Sequence, residues 1–166
     1  CTGEIHKYDD WYACPGYRLP TTAEWEYAAK AGVSGTHTYG GDLLSENIGD
    51  CAEQPSLENI AWYCHNSDNQ IHEVGQKLPN PWGLYDTLGN VYEWVDYFVG
   101  GQPLDYDNPD AALTDPIGPR TGDMKNLRGR TFHETGCYTT PTWQFSFYPC
   151  GKRYDAGFRP VRTIFE

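Results

Sequence analysis

The sequence predicts an α+β domain with one clear helix, several short strands, and extensive structured loop. Three observations predict it. A capping box opens a single amphipathic run at Thr21, the other periodic stretches are short, and Gly, Pro, Asn and Asp interrupt most of what lies between. At 166 residues the chain is long enough for one domain, 1–166, with a sizeable core.

The helix comes first. In Thr21-Thr22-Ala23-Glu24, Thr21 accepts from the first turn and Glu24 reaches back to it. Trp25, Ala28 and Ala29 then share a face, Glu26 and Lys30 sit four apart on another, and Gly32 supplies a left-handed stop. Residues 33–58 read as loop, and Ile60 to Tyr63 as a brief strand. Val91 to Phe98 alternates as a two-faced strand. Residues 99–122, rich in Gly, Pro and Asp, read as a long surface excursion. Within it Asp105 to Asp110 has a calcium-loop look but lacks the Gly and closing Glu, and reads as a solvated turn. Leu127 to Phe132, Thr142 to Tyr148 and Gly157 to Ile164 are the remaining strand candidates.

Composition narrows the function classes. Charged residues are 21% and aromatics 15%, the balance of a folded, aromatic-rich chain. A net charge of −11 argues against nucleic acid and anionic membrane surfaces as partners, since both are bound through Lys and Arg. No apolar run reaches the roughly 18 residues of a membrane span.

The six cysteines fall into three pairs, each separated by 13 positions: Cys1–Cys14, Cys51–Cys64 and Cys137–Cys150. Sequence alone leaves other pairings open, but the repeated spacing suggests three local disulfides. Each would close a loop of about 14 residues, worth roughly 3 kcal/mol. That predicts maturation outside the cytoplasm, in a secreted, periplasmic or cell-surface setting.

Two stretches are more specific: Gly16-Tyr-Arg-Leu-Pro-Thr-Thr-Ala-Glu-Trp-Glu-Tyr-Ala-Ala29 and Asn80-Pro-Trp-Gly-Leu-Tyr-Asp-Thr-Leu-Gly-Asn-Val-Tyr-Glu-Trp94. With Val74-Gly-Gln, Asp115-Pro-Ile-Gly, Arg128-Gly129 and Gly157-Phe-Arg-Pro-Val161, they resemble the formylglycine-generating enzyme family, also called the sulfatase-modifying factor domain. The resemblance runs along nearly the whole chain and implies a C-type-lectin-like fold built on a small antiparallel sheet. Family domains start upstream of the Arg-Leu-Pro-Thr motif, so the chain resembles their C-terminal portion. The remainder is then absent or supplied by another chain.

The resemblance also implies sites. Calcium would be held by Asp86, the carbonyls of Gly89 and Val91, and Glu93, a mixture of oxygens suited to that ion. A weaker second site would use Asn59 and the carbonyl of Ile60. The family's two copper-ligating cysteines, counted from Arg128, fall on Glu134 and Thr139, and Arg130 replaces a Gly of the same motif. Neither residue is the soft thiolate that copper(I) requires, so the family's copper-dependent conversion of a substrate cysteine to formylglycine is not expected.

What remains is a binding or structural module. Its candidate surface is the aromatic segment from Cys137 to Cys150, with Tyr138, Trp143, Tyr148 and Tyr154 as rigid anchors for a protein or carbohydrate ligand. Trp143, Phe145 and Phe147 share one strand parity and read equally well as core. Some members resembling this chain are variable proteins that diversify the corresponding region. One alternative is a divergent oxidoreductase, of formylglycine-generating type or another metal oxidase, using Cys137 or the His133–Glu134 pair. Another is a subunit of a larger assembly completed by a second chain.

Overall fold

The computed structural model describes residues 16–34, 38–43, 51–99, 118–119 and 121–164. Cys1–Cys14, the Asp105–Asp110 run and most of the excursion at 99–122 lie outside them.

Strand β1 (Tyr17–Arg18) leads through Leu19 and Pro20 into helix α1 (Thr22–Lys30). The capping box forms in full: Glu24 N–H donates to Thr21 Oγ1 at 3.1 Å, and Thr21 N–H donates to the Glu24 carboxylate at 2.8 Å. The same carboxylate takes both Arg18 terminal nitrogens at 2.7 Å, which ties β1 to the helix start. Trp25 and Ala29 are buried and Ala28 half-buried. The left-handed turn begins one residue before the predicted stop, at Ala31 (φ 47°), and continues at Gly32 (φ 86°). Asn80 secures this end by donating to the carbonyls of Ala28 (2.8 Å) and Ala29 (3.3 Å), while its Oδ1 accepts from Trp82 and Leu84 N–H.

Residues 55–60 are consecutive turns rather than the brief strand expected at Ile60 to Tyr63, of which only a bridge from Trp62 to Gly89 survives. The segment folds back on itself because Cys51 and Cys64 are bonded, their Cα atoms 5.6 Å apart. Gly89 (φ 73°) meets Trp62 so closely that a Cβ would lie 2.1 Å from the Trp62 carbonyl oxygen.

The main sheet has the order β4-β3-β2-β5, built from β2 (Tyr92–Val99), β3 (Met124–Arg128), β4 (Phe145–Phe147) and β5 (Ala156–Phe158). β2 and β3 are antiparallel, with an irregularity between Trp94 and Phe98, and β3 and β4 are antiparallel. β5 runs parallel to β2, so the sheet is mixed rather than purely antiparallel. The expected strand from Gly157 to Ile164 divides at Arg159-Pro160, because Pro160 has no N–H for a ladder. Its second half, β6 (Val161–Arg162), pairs with β1.

Two apolar clusters hold the layers together. Trp25, Ala29 and Val95 pack α1 on the sheet, and Leu57, Ile60, Ala61, Tyr63 and Leu88 fill the disulfide side. Each large buried side chain contributes about 1.5–3 kcal/mol relative to exposure. Arg128, also buried, donates to Glu26 and to the carbonyls of Thr142 (3.0 Å) and Trp143 (3.3 Å), and so anchors the entry to β4 on the helix.

The third cysteine pair is a correction. Cys150 carries a free, exposed thiol, and the expected Cys137–Cys150 bridge is not formed. Equal spacing misled here for a physical reason. The residues inside the Cys51–Cys64 loop coil through successive turns, whereas β4 is extended and carries the chain away at about 3.3 Å per residue.

Candidate ligand-binding face

The segment after β3 does not continue as strand. Arg130 adopts a left-handed conformation (φ 70°), unusual for a residue with a side chain, and turns the chain out of the sheet. Residues 131–139 then run over the disulfide loop. Cys64 N–H donates to the Glu134 carbonyl at 3.1 Å, and Ser67 Oγ donates to the Phe132 carbonyl at 2.7 Å. A short 3-10 turn, Gly136–Tyr138, sits so close that a Cβ on Gly136 would come within 2.7 Å of Gln54 and 2.9 Å of Tyr63.

On this platform the candidate residues divide. Glu134 accepts from the Tyr92 hydroxyl at 2.6 Å, and its Oε2 lies 3.0 Å from Arg130 Nε, an ion pair not aligned as a hydrogen bond. Burial, and then the bond to Glu134, push the Tyr92 phenol well above its ordinary pKa, so it stays a neutral donor. His133 turns the other way, with Nε2 3.8 Å from Asp155 Oδ2 and its ring edge-on to Phe132. The structure therefore does not pair His133 with Glu134. Thr139 is fully buried, its hydroxyl 3.4 Å from the Thr135 carbonyl. The Cys137 side chain lies outside the described part of the chain.

Near Glu134 and Tyr92 lies a group of exposed aromatic rings. Tyr138 and Trp143 lie 5.1 Å apart and are each 38% exposed, while Phe145 stacks on Tyr92 at 5.4 Å and is 36% exposed. Tyr148 and Tyr154 are more exposed still. The parity shared by Trp143, Phe145 and Phe147 thus faces outward, not into the core. Beneath the rings lie two arginines. Arg130 sits under Tyr138 and Trp143. Arg153, held by Asp155 through bonds of 2.9 and 2.6 Å, sits under Tyr92, Phe145 and Phe147. Sequence reasoning missed Tyr92 and Arg153 altogether. The spacing of Arg130 and Glu134, four apart, and the Arg153-Tyr154-Asp155 triplet were the only available signals.

Three of the four residues implied for calcium meet elsewhere, while Gly89 packs against Trp62. Asp86, Val91 and Glu93 line one open groove of about 660 Å³ with Val74, Phe158 and Arg159. Glu93 is not free in it: Arg159 donates to both its oxygens at 2.6 and 3.0 Å, and Trp25 Nε1 donates at 2.7 Å. Asp86 accepts from Gly75 N–H at 2.6 Å. These oxygens suit a hard cation, but a calcium ion would have to compete with the Arg159 guanidinium for them. Asn59 is exposed and Ile60 packs in the core. Among the described residues no three His, Cys, Asp or Glu side chains converge on one point.

Comparison with known proteins places this geometry. The pattern of the sulfatase-modifying factor enzyme 1-like domain matches residues 2–164. The chain belongs to that family. The formylglycine-generating enzyme of Streptomyces coelicolor is 37% identical over 131 residues, which cover 74% of this chain and 38% of the enzyme. The chaperone protein LppX of Paenibacillus barcinonensis is 42% identical over 85 residues, 48% of this chain and 30% of that protein. Among solved structures, Treponema denticola variable protein 1 superposes with a TM-score of 0.74 at 32% identity, covering 95% of this chain and 54% of that one. The chain thus spans less than half the length of these two curated relatives and about half of that solved neighbour. Residues of the sequence motifs build the frame, among them Arg18, Glu24, Asn80, Glu93, Arg128 and Arg159. The oxygens of Glu134 and Thr139, one engaged with Tyr92 and Arg130 and the other buried, do not fit copper(I).

Proposed function

We propose that this domain is an extracytoplasmic binding module rather than a copper oxidase, and that its ligand face is the aromatic surface around Trp143. The observation that carries the reading is the engagement of Glu134. Where the family resemblance puts a copper-ligating thiolate, this chain places a carboxylate held by Tyr92 and Arg130, beneath exposed Tyr138 and Trp143. The Cys51–Cys64 bridge supports an oxidising compartment. Rigid aromatics with few torsions contribute large contact area at low entropic cost, as binding faces require.

Two measurements test this. Copper(I) is titrated in the presence of a cysteine-containing peptide, with product read by mass spectrometry; copper-dependent conversion of the cysteine would sink the reading. Arrayed peptides and oligosaccharides are then probed with the wild type and with Trp143→Ala, and the reading expects ligands whose retention is lost with the ring. Calcium at Asp86, Gly89, Val91 and Glu93 is part of the proposal as a stabiliser of the frame. It expects a thermal midpoint that rises with added calcium and falls back with chelator; an unmoved midpoint removes calcium from the account.

A further inference from the structure

Five rings of the face lie against an arginine. The Arg130 guanidinium lies 5.4 Å from Tyr138 and 4.6 Å from Trp143, and Arg153 lies 5.4, 5.2 and 4.9 Å from Tyr92, Phe145 and Phe147. An aromatic face attracts a cation through its negative quadrupole. A guanidinium on one side draws that density toward itself, so the opposite side attracts a second cation less. The open sides of Tyr138, Trp143 and Phe145 are therefore poor receptors for lysine-like or quaternary ammonium groups. The charges nearby agree. Glu134 and Asp155 each already face an arginine, whereas Lys152 is exposed and, among the described residues, makes no ion pair.

A second observation concerns the backbone. β4 is the end strand of the four-stranded sheet, paired to β3 on one side only among the described residues. An end strand offers unpaired N–H and C=O groups to another extended chain, which a polypeptide can use and a sugar cannot use as a ladder.

Building on the binding-module reading above, we infer that the ligand is an acidic, extended polypeptide segment that adds to the open edge of β4. Its apolar side chains rest on Trp143 and Phe145, and its carboxylates face Lys152. The chain's own charge of −11 opposes such a partner at long range, but ions screen it beyond about 8 Å at physiological salt.

The test uses the whole chain on an array of extended peptides sharing one apolar core and flanked by acidic, neutral or basic residues, beside neutral and uronic-acid oligosaccharides. The expected result is binding to the acidic peptides about tenfold tighter than to their charge-reversed partners. Trp143→Ala should abolish it, and Lys152→Glu should erase the charge preference while leaving binding to the neutral peptide. Far-UV circular dichroism confirms that both variants fold. Trp143-dependent binding that is equal for both charges, favours basic peptides, or is confined to oligosaccharides overturns this inference and leaves the binding module standing. No Trp143-dependent binding to any probe overturns both.

Discussion

Two carboxylate–arginine pairs in this domain do opposite things. Glu93 joins three distant parts of the chain, since Trp25 of α1 and Arg159 beyond β5 both donate to it from a position on β2. Glu134 and Arg130 are four residues apart in one segment, and their contact is an ion pair without hydrogen-bond alignment. The first pair is built from residues of the sequence motifs and links helix, sheet and the segment after β5. The second lies at the aromatic face, beside Tyr92, Tyr138 and Trp143. Frame and face are therefore separable, each with its own arginine.

The largest expected effect tests the frame. Glu93→Ala leaves Arg159 and the Trp25 N–H without their partner and should cost about 3–5 kcal/mol in urea denaturation, while Glu134→Gln should cost less than about 1 kcal/mol. Equal losses would erase the distinction. Next is the disulfide beneath the face. Reducing Cys51–Cys64, or replacing both with Ser, should remove about 3 kcal/mol by the chain-entropy account. Because Cys64 N–H holds the Glu134 carbonyl, amide exchange should rise first at residues 131–139. Protection unchanged there would show the loop to be a local staple only.

Arg130→Gly sharpens the comparison from the other side. Relieving a left-handed non-glycine backbone returns about 1–2 kcal/mol, which offsets the lost ion pair and ring contacts. Stability should then stay within about 1 kcal/mol of wild type, with Tyr138 and Trp143 left unsupported and ligand binding weakened. A smaller effect depends on pH. Burial would raise the carboxyls of Glu24 and Glu26, yet Arg18 with Thr21, and Lys30 with Arg128, hold both below the ordinary 4.5. Their stabilisation is complete above pH 4.5 and is lost as pH falls through the lowered folded values. Tyr63 and Tyr92 act at the other end: burial and a carboxylate partner raise both above 10, so their contribution is present below pH 10 and lost as pH rises further. Stability falling between pH 5 and 9 would contradict these assignments.

How far the sequence could be read followed how local the determining contacts are. The helix was legible because its cap is made by Thr21 and Glu24 themselves, three residues apart. β2 was legible because alternation is written within the strand. The parallel pairing of β5 was not, since its partner lies more than sixty positions away and a three-residue strand has almost no pattern. The motifs located the frame, yet only the coordinates explain them: Asn80 matters because it closes the end of α1, and Gly89 because Trp62 leaves no room for a Cβ. The exposure of Tyr138 and Trp143 was one of two readings the sequence offered. The arginines beneath them were not legible, because Arg130 reaches Trp143 only by a backbone turn that sequence assigns to glycine.

The grip of Arg128 on β4 has one more consequence. It holds the carbonyl oxygens of Thr142 and Trp143, and every amino acid at those positions would present the same oxygens. The path of the chain there is fixed without reference to which side chains it displays. The side chain at position 143 can therefore be exchanged without loosening this hold, so one frame accommodates different surfaces there.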